Sequence, residues 1–577
     1  MRVALERRTD APIRAASAAA GIVALALLGG AAGVAHAQAA GGNPLDSLPR
    51  APEAPAPGPA PQVTPAGSAA VQQLLALPIT PVRFDIGGVK SIPFATVQAL
   101  FAPLTGQPTT VGRLIEQSQA VTRAYQGAGY ALSFAYLPAQ DFAGGVVRVV
   151  AVEGHVADVR IDGDAGKARQ PLLDLAQRIR DDKPLRQQTF DRYVQLMSQL
   201  PGLRVEASAP LPASTDGATL LTLKATSTPY AVTVGAEGRG KHPRAVVTGT
   251  LNQWPFAASQ LKASTILSTV GGESYAALQY SQFIGSDGLS VKLDGSRYRG
   301  DPDAQLAGSA ATGGVQRRVA SDRIELSASY PLQLSASQNL VVSGGGYAVD
   351  YIDGQRNPAN GAFLDVDTKV RAVFGQLSYS LARPDGVRRM NIMLAHGIDG
   401  WGARAGASTN VAGLTPVNGA KLAFTRLALG ASQSDLWPAK FGTAVAVTAQ
   451  LSGDSLPPTE RITFGGSRFA RGYAPGESSG DAGVGVSAEI NRAFAVSLPY
   501  VTQLQPYLLL EAASLRNEGP APVPARLRSV AIGSRISDQR YYTLDLSAAS
   551  ARGDAPIENP TRKPRYSATL SYRLGEP

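Results

Sequence analysis

The sequence predicts two small α+β units followed by a transmembrane, antiparallel β-barrel of about sixteen strands. Helical periodicity is confined to two stretches before residue 230, and each lies among short strands. From residue 230 onward, apolar and polar residues alternate along successive strands. A glycine-rich stretch over residues 464–483 interrupts these strands and is too long for a hairpin turn. We interpret this stretch as a structured loop that dips into the barrel.

The N-terminus has the features of a secretory signal peptide. Arginines at positions 2, 7, 8 and 14 precede an apolar run over residues 15–34, and Ala35-His36-Ala37 supplies small residues for cleavage. A transmembrane anchor is the alternative, because the run is nearly long enough to span a membrane. The cleavage site and the Ala- and Gly-rich composition favour a signal peptide over residues 1–37. No later segment is apolar enough to span as a helix, so any membrane insertion must use strands.

Residues 38–80 are predicted to form a linker. Eight prolines between Pro44 and Pro65 are interspersed with small residues. Such a segment cannot build a hydrophobic core and favours extended, semi-rigid conformations.

The first α+β unit is predicted over residues 81–154. A strand at Val82–Ile86 precedes a short helix with Ser91 as its N-cap, and a second helix begins near Thr110. Strands near Tyr130–Leu137 and Val146–Val152 close the unit. The second helix has one buried face at helical spacing, formed by Val111, Leu114, Ser118, Val121 and Tyr125.

The second α+β unit, over residues 155–228, repeats this order of elements. Its predicted elements are a strand at Val156–Ile161, helices at about Gln170–Arg180 and Phe190–Leu200, and strands near Leu203–Ala207 and Thr219–Ala225. Because order and lengths repeat so closely, two copies of one module are favoured over two unrelated modules.

Residues 229–577 are predicted to form the barrel. Leu289, Val291 and Leu293 share one strand face, while the intervening residues are polar or charged. In a membrane barrel the apolar face meets lipid and the polar face lines the lumen. A soluble sandwich is the alternative, but a sandwich of this size would normally split into domains. The approximate strand starts are residues 230, 243, 259, 273, 288, 320, 337, 367, 386, 419, 442, 483, 503, 526, 540 and 563.

Composition and motifs predict that the chain is not an enzyme. The formal net charge is +10, but no cluster of Lys and Arg forms a nucleic-acid-binding face, and there is no cysteine for thiol or metal chemistry. Gly453-Asp454-Ser455-Leu456 imitates a serine-esterase motif, yet the last histidine, His396, lies upstream of it. The histidines have no ligand-like spacing, and no nucleotide-binding fingerprint is present. We therefore expect no catalytic residue, no metal and no cofactor.

This organisation resembles the outer-membrane transporters of two-partner secretion, the hemolysin-activator and filamentous-hemagglutinin transporter family. The α+β units resemble POTRA (polypeptide-transport-associated) domains, through Val152-Glu153-Gly154 and Leu200-Pro201-Gly202. The glycine-aromatic step Gly127–Tyr130 also fits the family pattern. The most specific match runs from Gly465-Gly466 to Arg471-Gly472-Tyr473, which is similar to the arginine-glycine-aromatic loop of the family.

The resemblance implies that the loop over residues 454–482 reaches into the barrel and is locked there by an arginine–acid pair. Arg471, Gly472, Tyr473 and Glu511 would form the lock, and Glu489 on the lumen wall is a second candidate partner. Glu511 replaces the aspartate of the family, although its longer carboxylate can also bind a guanidinium bidentately. The chain departs from the family pattern again at its end, Gly575–Pro577, where the family has an aromatic residue. The remaining loop motif comprises Gly465, Gly466, Arg468, Phe469, Gly480 and Asp481.

The resemblance further implies a monomer in the bacterial outer membrane, with its POTRA domains in the periplasm. It would export a large unfolded exoprotein of the adhesin or hemolysin type, which carries an N-terminal secretion domain. The expected partners include outer-membrane lipid and do not include nucleic acid. Some family members carry a plug helix in the segment that corresponds to residues 38–80, and the sequence leaves its presence open here. The alternatives are an outer-membrane protein assembly factor and, less favoured, a passive porin.

Overall fold

The computed structural model describes residues 75–574, except residues 239–242, 269–271, 302–314, 468, 520, 523 and 558. Four parts of the sequence predictions lie outside the described residues. They are the signal peptide, most of the linker with any plug helix, Arg468 and the C-terminal Gly575–Pro577.

The first unit packs two helices against a three-stranded sheet with the order β2-β5-β4. The parallel pairing of β2 with β5 places the two helices in the crossover between them. The predicted helix face is buried at Leu114, Ser118, Val121 and Tyr125. The elements are β1 (Pro78–Ile79), β2 (Arg83–Gly87), α1 (Phe94–Phe101), β3 (Thr109–Thr110), α2 (Val111–Gly127), β4 (Phe134–Tyr136) and β5 (Val146–Val152).

Two local predictions for this unit are wrong. Ser91 does not cap α1, since Pro93 occupies the N-cap position without a side-chain hydrogen bond. The Ser91 hydroxyl instead donates to Glu153 Oε2 at 2.7 Å. The strand predicted near Tyr130–Leu137 is shorter, because Tyr130 N–H donates back to the end of α2 and residues 130–133 form turns.

The second unit repeats the arrangement, with a three-stranded sheet in the order β6-β8-β7. Leu172, Leu175 and Ile179 of its first helix and Leu196 of its second are fully buried against the sheet. The elements are β6 (His155–Asp164), α3 (Arg169–Asp181), α4 (Gln187–Ser198), β7 (Leu203–Ser208) and β8 (Ala218–Ser227).

The barrel closes by pairing its last strand with its first. Eighteen segments form sixteen strands, because β17 and β18 both pair with β16, and β23 and β24 both pair with β25. The segments before the long loop are β9 (Tyr230–Gly238), β10 (Arg244–Asn252), β11 (Ser259–Ser268), β12 (Ser274–Ile284), β13 (Leu289–Gly300), β14 (Gln316–Leu334), β15 (Gln338–Arg356), β16 (Phe363–Arg383), β17 (Gly386–Gly397), β18 (Arg404–Thr409), β19 (Thr425–Trp437) and β20 (Phe441–Leu451). The hairpin β21 (Ile462–Phe464) and β22 (Ser478–Gly480) lies within the loop. The remaining segments are β23 (Ala482–Arg492), β24 (Phe494–Leu498), β25 (Val501–Arg516), β26 (Arg526–Ser537), β27 (Tyr542–Ala551) and β28 (Arg565–Leu574).

The predicted strand count and the direction of the apolar face are both confirmed. Leu289 and Leu293 are 37% and 45% exposed, and Leu326 beside them is 57% exposed. These side chains face outward, whereas the alternate residues Lys292 and Glu325 form an ion pair at 3.0 Å on the inner face. The strand predicted from residue 419 begins only at Thr425, because residues 410–424 form an irregular connection after β18.

The second unit is docked on one end of the barrel. Strand direction alternates, so the connections after β10, β12 and β14 lie at the same end as this unit. Phe283, Ala258 and Leu334, at or beside these connections, pack into the core of the second unit. Arg192 of α4 donates to the backbone oxygens of Asp287 at 3.0 Å and Pro331 at 3.1 Å. The long loop after β20 therefore enters the barrel from the opposite end.

Among the described residues, no helix combines the length and the apolarity that crossing a membrane would require.

Candidate functional site

The segment between β20 and β23, residues 452–481, forms a structured loop packed against the inner wall of the barrel. Phe464 and Tyr473 of the loop are almost fully buried. They pack in one cluster with Leu515 of β25, Leu527 of β26 and Ala551 of β27. All three strands belong to the closed sheet, so apolar burial fixes the loop to one side of the lumen.

The glycine pair near the start of this loop lets it fold back on itself. Gly465 has φ of 116° and Gly466 has φ of 79°, conformations that L side chains rarely adopt. Gly465 N–H donates to Phe469 O at 3.0 Å, and Gly466 N–H donates to Tyr473 O at 3.1 Å. The Phe469 ring lies edge-on to Phe464 with centroids 5.8 Å apart. The turn thus carries the Arg471 backbone towards the wall.

The Arg471 guanidinium ends in a pocket formed by Tyr507 and Asp545. Its Nη1 donates to the Tyr507 hydroxyl and lies 3.4 Å from Asp545 Oδ2. The Tyr507 hydroxyl donates in turn to Asp545 Oδ1 at 2.6 Å. The side chains of Arg471 and Asp545 are only 14% and 21% exposed, so the pair is largely shielded from solvent.

Glu511 binds the loop backbone and not the guanidinium. Its Oε2 accepts from Arg471 N–H at 2.7 Å and from the Ser529 hydroxyl at 2.6 Å. The bidentate pair expected between Arg471 and Glu511 is therefore wrong, although the two residues are in contact. The loop backbone lies close to β25, so the Arg471 N–H donates to Glu511, the nearer carboxylate. The Arg471 side chain extends past Glu511 and reaches Asp545.

Glu489 faces the lumen as predicted but binds a different arginine. Its carboxylate accepts two hydrogen bonds from Arg535, at 2.7 and 2.5 Å. Arg535 also lies 3.7 Å from Asp545, and its guanidinium stacks over the Tyr507 ring at 4.5 Å. The Arg471 guanidinium lies over the same ring at 5.4 Å. Glu489 and Arg535 therefore hold the Tyr507–Asp545 pocket in place and do not pair with Arg471.

Gly472 and Tyr473 fix the tip of the loop to β27 and the connection after it. A Cβ atom on Gly472 would lie 2.5 Å from Ala551 N, so only glycine permits this approach. The Tyr473 side chain is fully buried, and its hydroxyl donates to Asp554 O at 2.8 Å.

The base of the loop is held by two further buried ion pairs. Glu460 accepts from Arg426 Nε at 2.9 Å and from the Tyr347 hydroxyl at 2.7 Å. Asp481 pairs with Arg461 at 3.1 Å and also accepts from backbone N–H groups of Leu456 and Glu518. Gly480 precedes it, in β22, where a side chain would contact Arg516 O at 2.9 Å.

Sequence reasoning missed Tyr507, Asp545 and Arg535 as parts of the site. A signal for Asp545 was present, since it is the charged residue on the polar face of a strand whose other face is Leu544 and Leu546. Its distance of 74 residues from Arg471 hid the pairing. Among the described residues, no group of three or more His, Cys, Asp or Glu side chains has an arrangement that would hold a metal ion.

Two family models match the chain. Residues 77–154 match the POTRA domain of the ShlB type, and residues 263–536 match the haemolysin secretion/activation protein ShlB/FhaC/HecB. The chain belongs to the ShlB/FhaC/HecB family. As in this family, the barrel lies in the outer membrane and the POTRA region lies in the periplasm.

This ShlB/FhaC/HecB protein is similar to one curated relative over a short segment and to one solved structure in its fold. The outer membrane transporter CdiB of Escherichia coli O6:K15:H31 (strain 536 / UPEC) is 32% identical over 81 residues, which span 14% of this chain and 14% of that relative. The solved structure of CdiB from Escherichia coli superposes with a TM-score of 0.64 at 19% identity, covering 89% of this chain and 93% of that one.

Two further solved structures share the fold of this ShlB/FhaC/HecB protein. CdiB from Acinetobacter baumannii superposes with a TM-score of 0.57 at 14% identity, covering 90% of this chain and 94% of that one. BamA from Haemophilus ducreyi, lacking POTRA domains 1–3, superposes with a TM-score of 0.51 at 14% identity, covering 86% of this chain and 100% of that one.

Proposed function

We propose that the protein exports a large unfolded partner polypeptide across the outer membrane, as in two-partner secretion, and that it is not an enzyme. The observation that supports this most is the loop inside the barrel, whose tip is held by Arg471 against Tyr507 and Asp545. The two α+β units, the second of which packs on the barrel, argue against a passive pore. A gated conduit needs such a segment, together with binding modules at its entrance.

The two α+β units are the proposed entrance. We assign both to the POTRA type, with a boundary at residues 154 and 155. The sheet order leaves β4 at one edge of the first unit and β7 at one edge of the second. Sheet edges bind extended polypeptides by adding a strand. The proposed partner is an exoprotein of the adhesin or hemolysin type, captured through its N-terminal secretion domain before it enters the lumen.

Arg471 is the proposed lock. In the locked state, its ion pair with Asp545 and the hydrogen bond from its backbone to Glu511 hold the loop in the lumen. An entering polypeptide would compete for the wall and displace the tip, while the buried pairs at Glu460 and Asp481 keep the loop base in place. Each protomer has a complete lumen, so we propose a monomer. Folding of the partner outside the cell supplies direction without a nucleotide.

The test compares cells with and without the protein, by mass spectrometry of the medium and of the outer membrane. Export predicts that one large polypeptide disappears from the medium while other barrel proteins remain at normal levels. A general loss of barrel proteins from the outer membrane would support an assembly factor instead.

Two variants complete this test. Deletion of residues 82–225 and Arg471→Ala should each abolish export while the barrel still inserts. Arg516→Ala is the matched control, because Arg516 lies on β25 but is 69% exposed, and its ion-pair partner among the described residues is Glu518 at the rim. Normal export by the Arg471→Ala variant would remove the loop lock from the mechanism.

A further inference from the structure

A cationic site lies on the outer surface of the barrel, at the end that carries the α+β units. Residues Val486 and Ile490 of β23 face outward, with exposures of 42% and 50%, and Arg492 continues the same face. Phe441 of β20 is its register partner, and Phe494 of β24 follows two residues later. All three side chains are exposed on the face that meets lipid.

The guanidinium of Arg492 lies over two aromatic rings. It lies 4.8 Å from the centroid of the Phe441 ring and 5.0 Å from that of the Phe494 ring. Contact with two rings restricts the orientation of a planar cation, and its N–H groups can still bind a ligand. Two stacking partners distinguish Arg492 from an arginine that merely lies on the surface.

The backbone of a second cationic residue, Lys440, lies close to Arg492. Lys440 belongs to the tight turn that joins β19 to β20, and its carbonyl accepts from Ala493 N–H at 3.1 Å. The turn therefore sits directly against the residue that follows Arg492. Within the described part of the chain, neither Lys440 nor Arg492 forms an ion pair with a carboxylate. Both cations are exposed at the edge of the apolar band and are available to an anion from outside the chain.

We propose that Arg492 and Lys440 bind the phosphate of a glycerophospholipid headgroup. The connection between β19 and β20 lies at the end that carries the α+β units, so the headgroup belongs to the periplasmic leaflet. Trp437, which is 54% exposed, and Phe441 supply an aromatic rim at the same level, as membrane barrels have at their interfaces. A guanidinium binds phosphate through two parallel N–H groups, and the two ring contacts restrict the orientation of this one. This inference rests on residence in the outer membrane and not on export.

The test is native mass spectrometry of the full-length protein in detergent, titrated with dioleoyl phosphatidylglycerol. We expect Arg492→Ala to weaken the tightest lipid-binding event by about tenfold, the loss of roughly one charge-assisted hydrogen-bond pair. Arg492→Lys should weaken it less, because the charge stays while the fork and the stacking are lost. An excess of inorganic phosphate should leave the lipid bound, because phosphate has no acyl chains to sit against the apolar band.

Arg388→Ala is the matched control. Arg388 also lies on the outer face at this end, where its Nε donates to Gln433 Oε1 at 2.6 Å. This variant should bind the lipid as the parent protein does. Equal affinity in the parent and both Arg492 variants would overturn the proposal, and so would an equal loss in the Arg388 and Arg492 variants. Displacement of the lipid by inorganic phosphate would assign the site to a free anion and would also overturn it.

Discussion

The interaction that holds the loop tip depends on a tyrosine that lies between two arginines. Arg471 from the loop and Arg535 from the wall both stack on Tyr507, and both approach Asp545. One carboxylate therefore serves two guanidinium groups, and Glu489 supplies the second negative charge. Removing Asp545 would leave Arg471 without an ion pair among the described residues, and removing Glu489 would leave two cations sharing one carboxylate. Either change is costly in a shielded site.

Asp545→Asn should release the loop tip while the barrel stays folded. The substitution removes the only ion pair of Arg471 among the described residues, which we expect to weaken the closed state by about 2 kcal/mol. The chain contains no cysteine, so a single cysteine at position 467 can carry a spin label. Electron paramagnetic resonance should show a larger mobile fraction in this variant.

Two further variants separate the acids of the site. Glu511→Gln keeps an oxygen that accepts from Arg471 N–H, so its spectrum should change less than that of Asp545→Asn. Asp322→Asn is the control, since Asp322 pairs with Arg297 and Arg299 away from the loop. If Glu511→Gln mobilised the label more than Asp545→Asn did, the assignment of Asp545 as the guanidinium partner would be wrong.

At this scale the sequence predicted the parts of the site and missed their pairing. The positions of Arg471 and Tyr473 could be predicted from the arginine-glycine-aromatic loop motif, and that of Glu511 from the strand that carries the acid in the family. The choice of Asp545 over Glu511 depends on how far the loop backbone lies from β25, a distance of a few ångströms that alternation of residues along a strand does not encode.

At the scale of the elements, Glu153 lies directly after β5 and connects three parts of the first unit. Its carboxylate accepts from Lys90 N–H at 2.7 Å, from Ser91 N–H at 2.6 Å and from the Tyr125 hydroxyl at 3.0 Å. One side chain thus joins the segment before α1, the helix α2 and the strand β5. Partial burial raises the pKa of Glu153, but these hydrogen bonds outweigh it and leave the pKa below its usual value.

The stability of the first unit should therefore fall in acid because of Glu153. A carboxyl group whose pKa is lowered by folding stabilises the folded state above its unfolded pKa, and this contribution is lost as the pH falls through the folded pKa. Amide hydrogen exchange of residues 111–127, corrected for the intrinsic rate, should show constant protection from pH 7 to about 5.5 and a loss of protection below about pH 4.5.

Glu153→Gln provides the comparison for this acid-induced loss. This variant should be less protected at pH 7, by about 1 kcal/mol for the weakened hydrogen bonds, and should lose little more in acid. The same acid-induced loss in the variant would mean that another carboxylate is responsible.

Element order was more predictable than element ends. Alternation along long strands predicted sixteen strand starts, and the strand count is correct. A shift of one residue in a strand would move all of its apolar side chains to the other face, so alternation specifies long strands strongly. Short elements were less predictable. The strand predicted near Tyr130–Leu137 contains only Phe134–Tyr136, since turns set by Gly129 compete with sheet pairing there. Ser91 was misassigned for a similar reason, because its partner Glu153 is 62 residues away.

For the whole molecule, the loop should decide how much current the barrel passes. Residues 452–481 fill part of the lumen and pack on the walls of β25, β26 and β27. Deletion of residues 465–477, with an Asn-Gly turn inserted in their place, removes the tip and keeps the hairpin of β21 and β22, whose last pair is Phe464 and Ser478. In planar bilayers, this deletion should raise the single-channel conductance at least about twofold, because conductance grows with the open cross-section.

Arg516→Ala serves as the control for conductance as it does for export. That variant should conduct like the parent, because Arg516 is exposed at the rim. An unchanged conductance in the deletion variant would show that the loop does not limit the open cross-section.

The second α+β unit and the barrel share one interior. Phe283, Ala258 and Leu334 from the barrel complete a core whose other members are Leu172, Leu196 and their neighbours. Before insertion into the membrane, the second unit would therefore expose an apolar surface that the closed barrel later covers. We therefore expect the second unit to complete its folding when the barrel forms. Until then, periplasmic chaperones would bind its exposed apolar surface.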